Sequence, residues 1–135
     1  MKKFIVTSMF LFCLSLYACQ ANNKELSFIG EVKNWFAIVT VNQSNGNEIY
    51  QIQIEYKGDN LQDIKTFGFY VKSKNNGVIS FGGDDLTLNK EGVFFSDLPI
   101  SNSPSTNKND KLEMKIDWNG SSEEFTLLNE SNDTK

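Results

Sequence analysis

Hydrophobic and polar residues alternate through most of the chain beyond Leu26. In Glu48–Lys57 (EIYQIQIEYK), Tyr50, Ile52, Ile54 and Tyr56 share one face, while Gln51, Gln53 and Glu55 take the other. A period of two sustained over such a run marks a half-buried strand, because successive side chains leave a strand on opposite sides. Leu112, Met114, Ile116 and Trp118 repeat the pattern against Glu113, Lys115 and Asp117, and Phe67, Phe69 and Val71 do so again. Trp35–Val41 (WFAIVTV) is β-branched or aromatic on both faces and predicts a more central strand. Ser27–Val32, Val78–Phe81, Gly92–Ser96 and Glu124–Leu128 are shorter strand candidates. No stretch of this region has helical spacing.

The breaks between these runs carry turn chemistry. Asn45-Gly46 and Asn119-Gly120 favour positive φ and predict hairpin turns. Lys57-Gly58-Asp59-Asn60, Asn75-Asn76-Gly77, Gly82-Gly83-Asp84-Asp85 and Lys90-Glu91-Gly92 are further turn signals. Pro99–Asp110 (PISNSPSTNKND) holds both prolines and is the one long polar connection, a loop or a crossover between sheets. Seven or eight strands at hairpin spacing between residues 27 and 128 predict an all-β domain. The expected form is an immunoglobulin-like antiparallel β-sandwich, with a small β-barrel as the alternative. The Cys…Trp…Cys spacing of antibody domains is absent.

The first residues follow a different rule. Met1-Lys2-Lys3 is a short basic start, and Phe4–Leu16 (FIVTSMFLFCLSL) is an apolar run. Spanning a bilayer takes about 20 apolar residues, whereas a secretory signal needs roughly 7–15. Leu16-Tyr17-Ala18-Cys19 then places an aliphatic residue at −3 and a small residue at −1 before a cysteine. This resembles the lipobox of bacterial lipoproteins. The resemblance implies diacylglycerol transfer to the Cys19 thiol and cleavage before Cys19, leaving the protein lipid-anchored on the extracytoplasmic face of the cell membrane. An ordinary signal cut after Ala18 is the competing reading. Two or three acyl chains on one residue hold stably where a single chain is marginal, at about 0.8 kcal/mol per buried CH₂. The expected organisation is a signal peptide over 1–18, a lipidated N-terminus and tether over 19–26, the β-domain over 27–128 and a frayed tail over 129–135. The polar tether Gln20–Glu25 (QANNKE) reaches about 20 Å when extended, which keeps the domain close to the membrane.

Composition narrows the function. Among 135 residues there is no histidine, and all 13 basic residues are lysine. The commonest general base and metal ligand is therefore missing, and so is the guanidinium that grips phosphate or carboxylate with two hydrogen bonds. Cys13 would leave with the signal, so a mature chain would hold Cys19 alone, its sulfur in a thioether. That excludes a disulfide framework, a cysteine zinc site and a cysteine nucleophile. Loss of Lys2 and Lys3 leaves eleven lysines against 17 carboxylates, a formal charge of −6. Nucleic acid and anionic lipid would be repelled by such a surface.

The remaining candidates for chemistry are few. Trp35, Tyr56, Tyr70 and Trp118 would make an aromatic platform for sugar or peptide if exposed. However, Trp35, Tyr56 and Trp118 lie in phase with apolar strand neighbours, which predicts core packing. Tyr70 is out of phase with Phe67, Phe69 and Val71 and is the best candidate for an exposed ring. Asp84, Asp85, Asn89 and Glu91 bunch around a Gly-Gly turn, as calcium loops do, but without the D-x-[DN]-x-[DN]-G spacing. A solvated turn is the simpler reading. Glu123 and Glu124 are adjacent on a strand, so they point to opposite faces and cannot work as an acid/base pair. No histidine exists to activate a serine, and G-x-S-x-G does not occur. Asn42-Gln43-Ser44 and Asn119-Gly120-Ser121 match a glycosylation pattern that an asparagine-rich chain produces by chance.

Four short motifs occur in order: Gly30-Glu31-Val32-Lys33-Asn34-Trp35, Glu55-Tyr56-Lys57-Gly58, Leu88-Asn89-Lys90-Glu91-Gly92-Val93 and Ile116-Asp117-Trp118-Asn119-Gly120-Ser121-Ser122-Glu123. As a set they resemble a group of small lipoproteins of Bacillus-type bacteria. The resemblance spans most of the region after the signal and implies a Gram-positive cell envelope and an all-β domain, with no activity attached. Some members of that group carry a cysteine pair in the long loop before the Ile-x-Trp-Asn-Gly strand. Ser96–Asn109 has none here, so a metal or redox role for such a pair does not carry over. The function expected is that of a non-catalytic binding or interaction module with no cofactor, its partner an envelope protein, a peptide or a glycan. A small-ligand or calcium-binding module, a carboxylate-only enzyme, and a membrane-anchored inhibitor or immunity protein are the alternatives.

Overall fold

The computed structural model describes residues 24–44, 46–75, 79–98 and 106–130. Residues 1–23, which include the expected signal peptide and Cys19, together with Asn45, Asn76 to Val78 and residues 99–105 and 131–135, lie outside the described residues. Among the described residues, eight strands follow one another: β1 (Lys24–Glu31), β2 (Trp35–Ser44), β3 (Asn47–Tyr56), β4 (Phe67–Ser73), β5 (Ser80–Leu86), β6 (Val93–Asp97), β7 (Lys111–Trp118) and β8 (Ser121–Asn129). One 3-10 turn, Leu61–Asp63, breaks the connection between β3 and β4.

All pairings are antiparallel, and the strands form a single sheet in the order β5-β4-β7-β8-β1-β2-β3-β6. β5 and β6 are consecutive in the chain yet stand at opposite ends of this order. Seven strand spacings of about 4.8 Å would separate the edges of a flat sheet by about 34 Å. The short link from Leu86 to Val93 spans about 25 Å at most. The sheet must therefore roll, and it does: its two halves face each other as a half-barrel. Rings bridge the halves, Phe94 of β6 lying 5.6 Å from Phe67 and 6.1 Å from Phe69 of β4, and Phe81 of β5 lying 6.1 Å from Tyr50 of β3. The all-β antiparallel class and the strand number are those the alternation predicts. A rolled single sheet lies between the sandwich and the small barrel.

Inside the roll, Phe28, Trp35, Val39, Ile54, Met114, Ile116 and Leu127 are fully or almost fully buried. Trp35 is the hub: Tyr56 and Trp118 meet it edge-on at 5.1 and 5.4 Å, and Phe67 is tilted against it at 5.4 Å. Such pairs add about 0.5–1.5 kcal/mol each beyond their burial.

Three segments differ from expectation. Asn129, read as the start of the tail, is the last residue of β8, pairs with Phe28 and is buried. β1 begins at Lys24, so Lys24, Glu25 and Leu26, read as tether, pair with Gln43, Asn42 and Val41. Leu26 is buried, and its apolar side chain extends the strand. Gly82-Gly83-Asp84-Asp85, read as a turn, lies within β5. Gly82 is there for closeness: a Cβ would sit 2.4 Å from the Phe69 carbonyl oxygen. The pairing register shifts between Phe67 and Phe69, and Asp85 takes φ of 53° beside this irregularity. The true turns follow the sequence signals. Asn119 and Gly120 both have positive φ, 47° and 74°, as a two-residue type I′ hairpin requires. Gly92 in Lys90-Glu91-Gly92 sits at φ 80°.

Candidate functional site

Among the described residues, the fold buries one charged side chain. Glu48 is in phase with Tyr50, Ile52 and Ile54 on the inner face of β3, and it is fully buried. Burying a carboxylate is tolerable only when its oxygens are bonded. Gln43 Nε2 donates to Oε1 at 2.6 Å, the Thr106 backbone N–H donates to Oε1 at 2.8 Å and the Thr106 hydroxyl donates to Oε2 at 2.8 Å. The Tyr50 hydroxyl also donates to Oε2 in a short hydrogen bond. Gln43 Nε2 further reaches the Thr106 carbonyl at 2.9 Å. Burial alone would push the carboxyl up, but hydrogen bonds from Tyr50, Gln43 and Thr106 outweigh it and hold Glu48 below its ordinary value of 4.5. This carboxylate is ionised, enclosed and saturated with donors. Its bonds pin Thr106, within the Pro99–Asp110 connection, against the β2–β3 hairpin. The sequence reading did not single it out, although a glutamate in register with four apolar strand positions was the available signal.

The sequence-derived candidates separate cleanly. Trp35, Tyr56 and Trp118 come together in the core rather than on a platform. Tyr70 is exposed on the outer face and its hydroxyl bonds Ser80 Oγ at 2.6 Å. Asp84 and Asp85 are exposed on β5. Asn89 instead braces its own turn, its Oδ1 accepting from the Glu91 and Val93 N–H groups at 3.0 and 2.9 Å. Among the described residues, no three acidic, histidine or cysteine side chains gather at metal-binding spacing. Glu123 and Glu124 face opposite ways, as adjacent strand residues do. Glu123 accepts from the Asn34 N–H at 3.0 Å and so holds the β1–β2 turn, while Glu124 is exposed. Cys19 lies outside the described residues; among the described residues, no helix is long and apolar enough to cross a membrane.

What remains is the outer surface of the sheet, and its two halves differ. On β4, β7 and β8 the outward residues are mixed in charge: Lys72 and Lys74 pair with Glu113 at 3.4 and 3.8 Å, and Lys115 pairs with Asp117 at 3.6 Å. Across β8, β1, β2, β3 and β6, by contrast, Leu128, Ile29, Ile38, Gln53 and Phe95 are successive cross-strand partners in one outward row. Phe95 is 65% exposed and Leu128 41%. Phe36 lies in the adjoining outward row, between Glu31 and Glu55. The charged residues that β1, β2, β3 and β6 turn outward are Glu25, Glu31, Glu55 and Asp97, all carboxylates. Only Glu31 has a cation on it, Lys57 at 3.0 Å, among the described residues. A shallow groove runs along this face between Ile38, Thr40, Gln53, Phe95 and Asp97.

Compared with models of known protein families, with curated proteins and with solved structures, the chain finds no match.

Proposed function

We propose that the protein is a lipid-anchored, non-catalytic interaction module on the extracytoplasmic face of the cell membrane, held there through Cys19. The observation that supports an interaction role is the outward apolar row ending in Phe95. The inner face of the sheet already has a complete core, so these residues contribute nothing to it. An exposed apolar patch rimmed by polar groups is a feature of contact surfaces. The buried Glu48 knot fits the same reading, since it is built to hold a loop.

Two measurements test it. Labelled palmitate should enter the full chain and vanish, with membrane retention, in Cys19→Ala; label that survives the substitution defeats the anchor. A photocrosslinking amino acid at position 95 of the full chain in its membrane should give one reproducible protein adduct, and the same probe at position 70 should not. Equal adducts at both positions, or none at 95, would defeat the interaction role.

A further inference from the structure

The two edges of the sheet are not alike. β5 is blunted by Gly82-Gly83, by the register irregularity opposite Phe67 and Phe69, and by Asp84 and Asp85. Natural sheets use such devices to stop other strands from adding. β6, Val93-Phe94-Phe95-Ser96-Asp97, has no lysine, proline or bulge. Its ladder with β3 fixes where its backbone points. The Tyr56 N–H donates to the Gly92 carbonyl at 3.0 Å and the Leu98 N–H donates to the Tyr50 carbonyl at 2.8 Å. In an antiparallel pair alternate residues bond the neighbour, so Gly92, Phe94, Ser96 and Leu98 face β3, and Val93, Phe95 and Asp97 turn their backbone groups to the open side. Val93 is taken, since its carbonyl accepts from the Asn89 N–H at 2.9 Å and its N–H donates to Asn89 Oδ1. The N–H and C=O of Phe95 and the N–H of Asp97 have no such partner among the described residues.

Charge decides the occupant. A second copy of the chain, added antiparallel about Phe95, would bring two sets of Glu55 and Asp97 together. Anionic lipid would meet the same carboxylates. A cationic strand would be attracted instead.

We propose that the open β6 edge binds an extended cationic peptide segment of a partner protein, one that alternates apolar residues with lysine or arginine. Successive side chains of an added strand face opposite sides, so its lysines or arginines would lie outward, over the Phe95 ring and beside Asp97 in the field of Glu55. Its apolar residues would turn to the other side next to Phe94, and its backbone would take up the free groups of Phe95 and Asp97. Backbone pairing supplies affinity in this mode, and alternate side chains supply selectivity. The proposal rests on the interaction role proposed above and names its chemistry.

The test uses the full chain in detergent, with a fluorescent octapeptide alternating lysine and valine and its glutamate–valine counterpart as probes. The lysine peptide should bind at least tenfold more tightly than the glutamate one and weaken as salt rises from 50 to 300 mM. Asp97→Lys, a surface change that leaves the core untouched, should weaken it at least fivefold, and Phe95→Lys at least tenfold. Bound peptide should slow hydrogen exchange of the Phe95 amide. Equal binding of the two peptides, unchanged affinity in both variants, or an unprotected Phe95 amide would overturn the proposal, as would dimers of the chain crosslinked through position 95. A protein adduct at position 95 with no binding of the lysine peptide would sink the peptide chemistry and leave the interaction role standing.

Discussion

Glu48 shows how a single residue can break the alternation rule and still be native. Its strand places it inward, and four donors make that placement tolerable. Hydrogen bonds to a charged acceptor are each worth about 1.5–3 kcal/mol, and leaving their donors facing an amide costs a comparable amount. Glu48→Gln should therefore lose about 2–3 kcal/mol at pH 7, read by urea denaturation. The pH dependence has a definite sign. The folded carboxyl titrates below its unfolded value, so its stabilisation is present above about pH 4.5 and fades as pH falls through the lower, folded value. The gap between the native chain and Glu48→Gln should narrow below pH 4.5; a constant gap down to pH 3 would contradict the assignment. The inward phase of Glu48 was legible in the alternation, but its saturation was not, because two of its four donors come from Thr106, 58 positions away.

At the scale of elements, hairpin turns were legible and edges were not. Asn119-Gly120 is a local signal, since positive φ at two successive residues is a property of those residues alone. Gly82-Gly83 carries the same kind of composition but serves another purpose, the near approach of β4. That purpose exists only once Phe69 lies opposite. Gly82→Ala should destabilise the domain by about 1–3 kcal/mol through overpacking against the Phe69 carbonyl, measured by thermal unfolding. If the segment were the turn its composition suggests, the change would be close to neutral. β6 poses the converse case. Val93-Phe94-Phe95 offers three apolar residues in a row, of which a strand can turn only alternate ones inward, and the ring contacts of Phe94 with β4 settle which.

For the whole molecule, inner and outer faces make separate predictions. Trp35 is fully buried among Tyr56, Phe67 and Trp118, so Trp35→Ala should cost about 3–5 kcal/mol, enough to unfold much of a marginally stable domain at 37 °C. Phe95→Ser, on the exposed row, should stay within about 0.5 kcal/mol in the same denaturation experiment. A large loss there would mean that the outer row serves stability and not contact. The rolled sheet itself follows from chain length between edges: with β5 and β6 joined by so short a link, a flat arrangement of eight strands is geometrically closed to this sequence.

By itself, the sequence determined the all-β class, most strands, the inward phase of Trp35, Tyr56 and Trp118, and the outward phase of Tyr70. These depend on the two-residue period of a strand, which is local. The strand order, the single rolled sheet, the Glu48 knot and the unequal edges were decided only by tertiary structure. Each depends on which strands become neighbours, and that is set by long-range packing of the two halves of the sheet rather than by any run of adjacent residues.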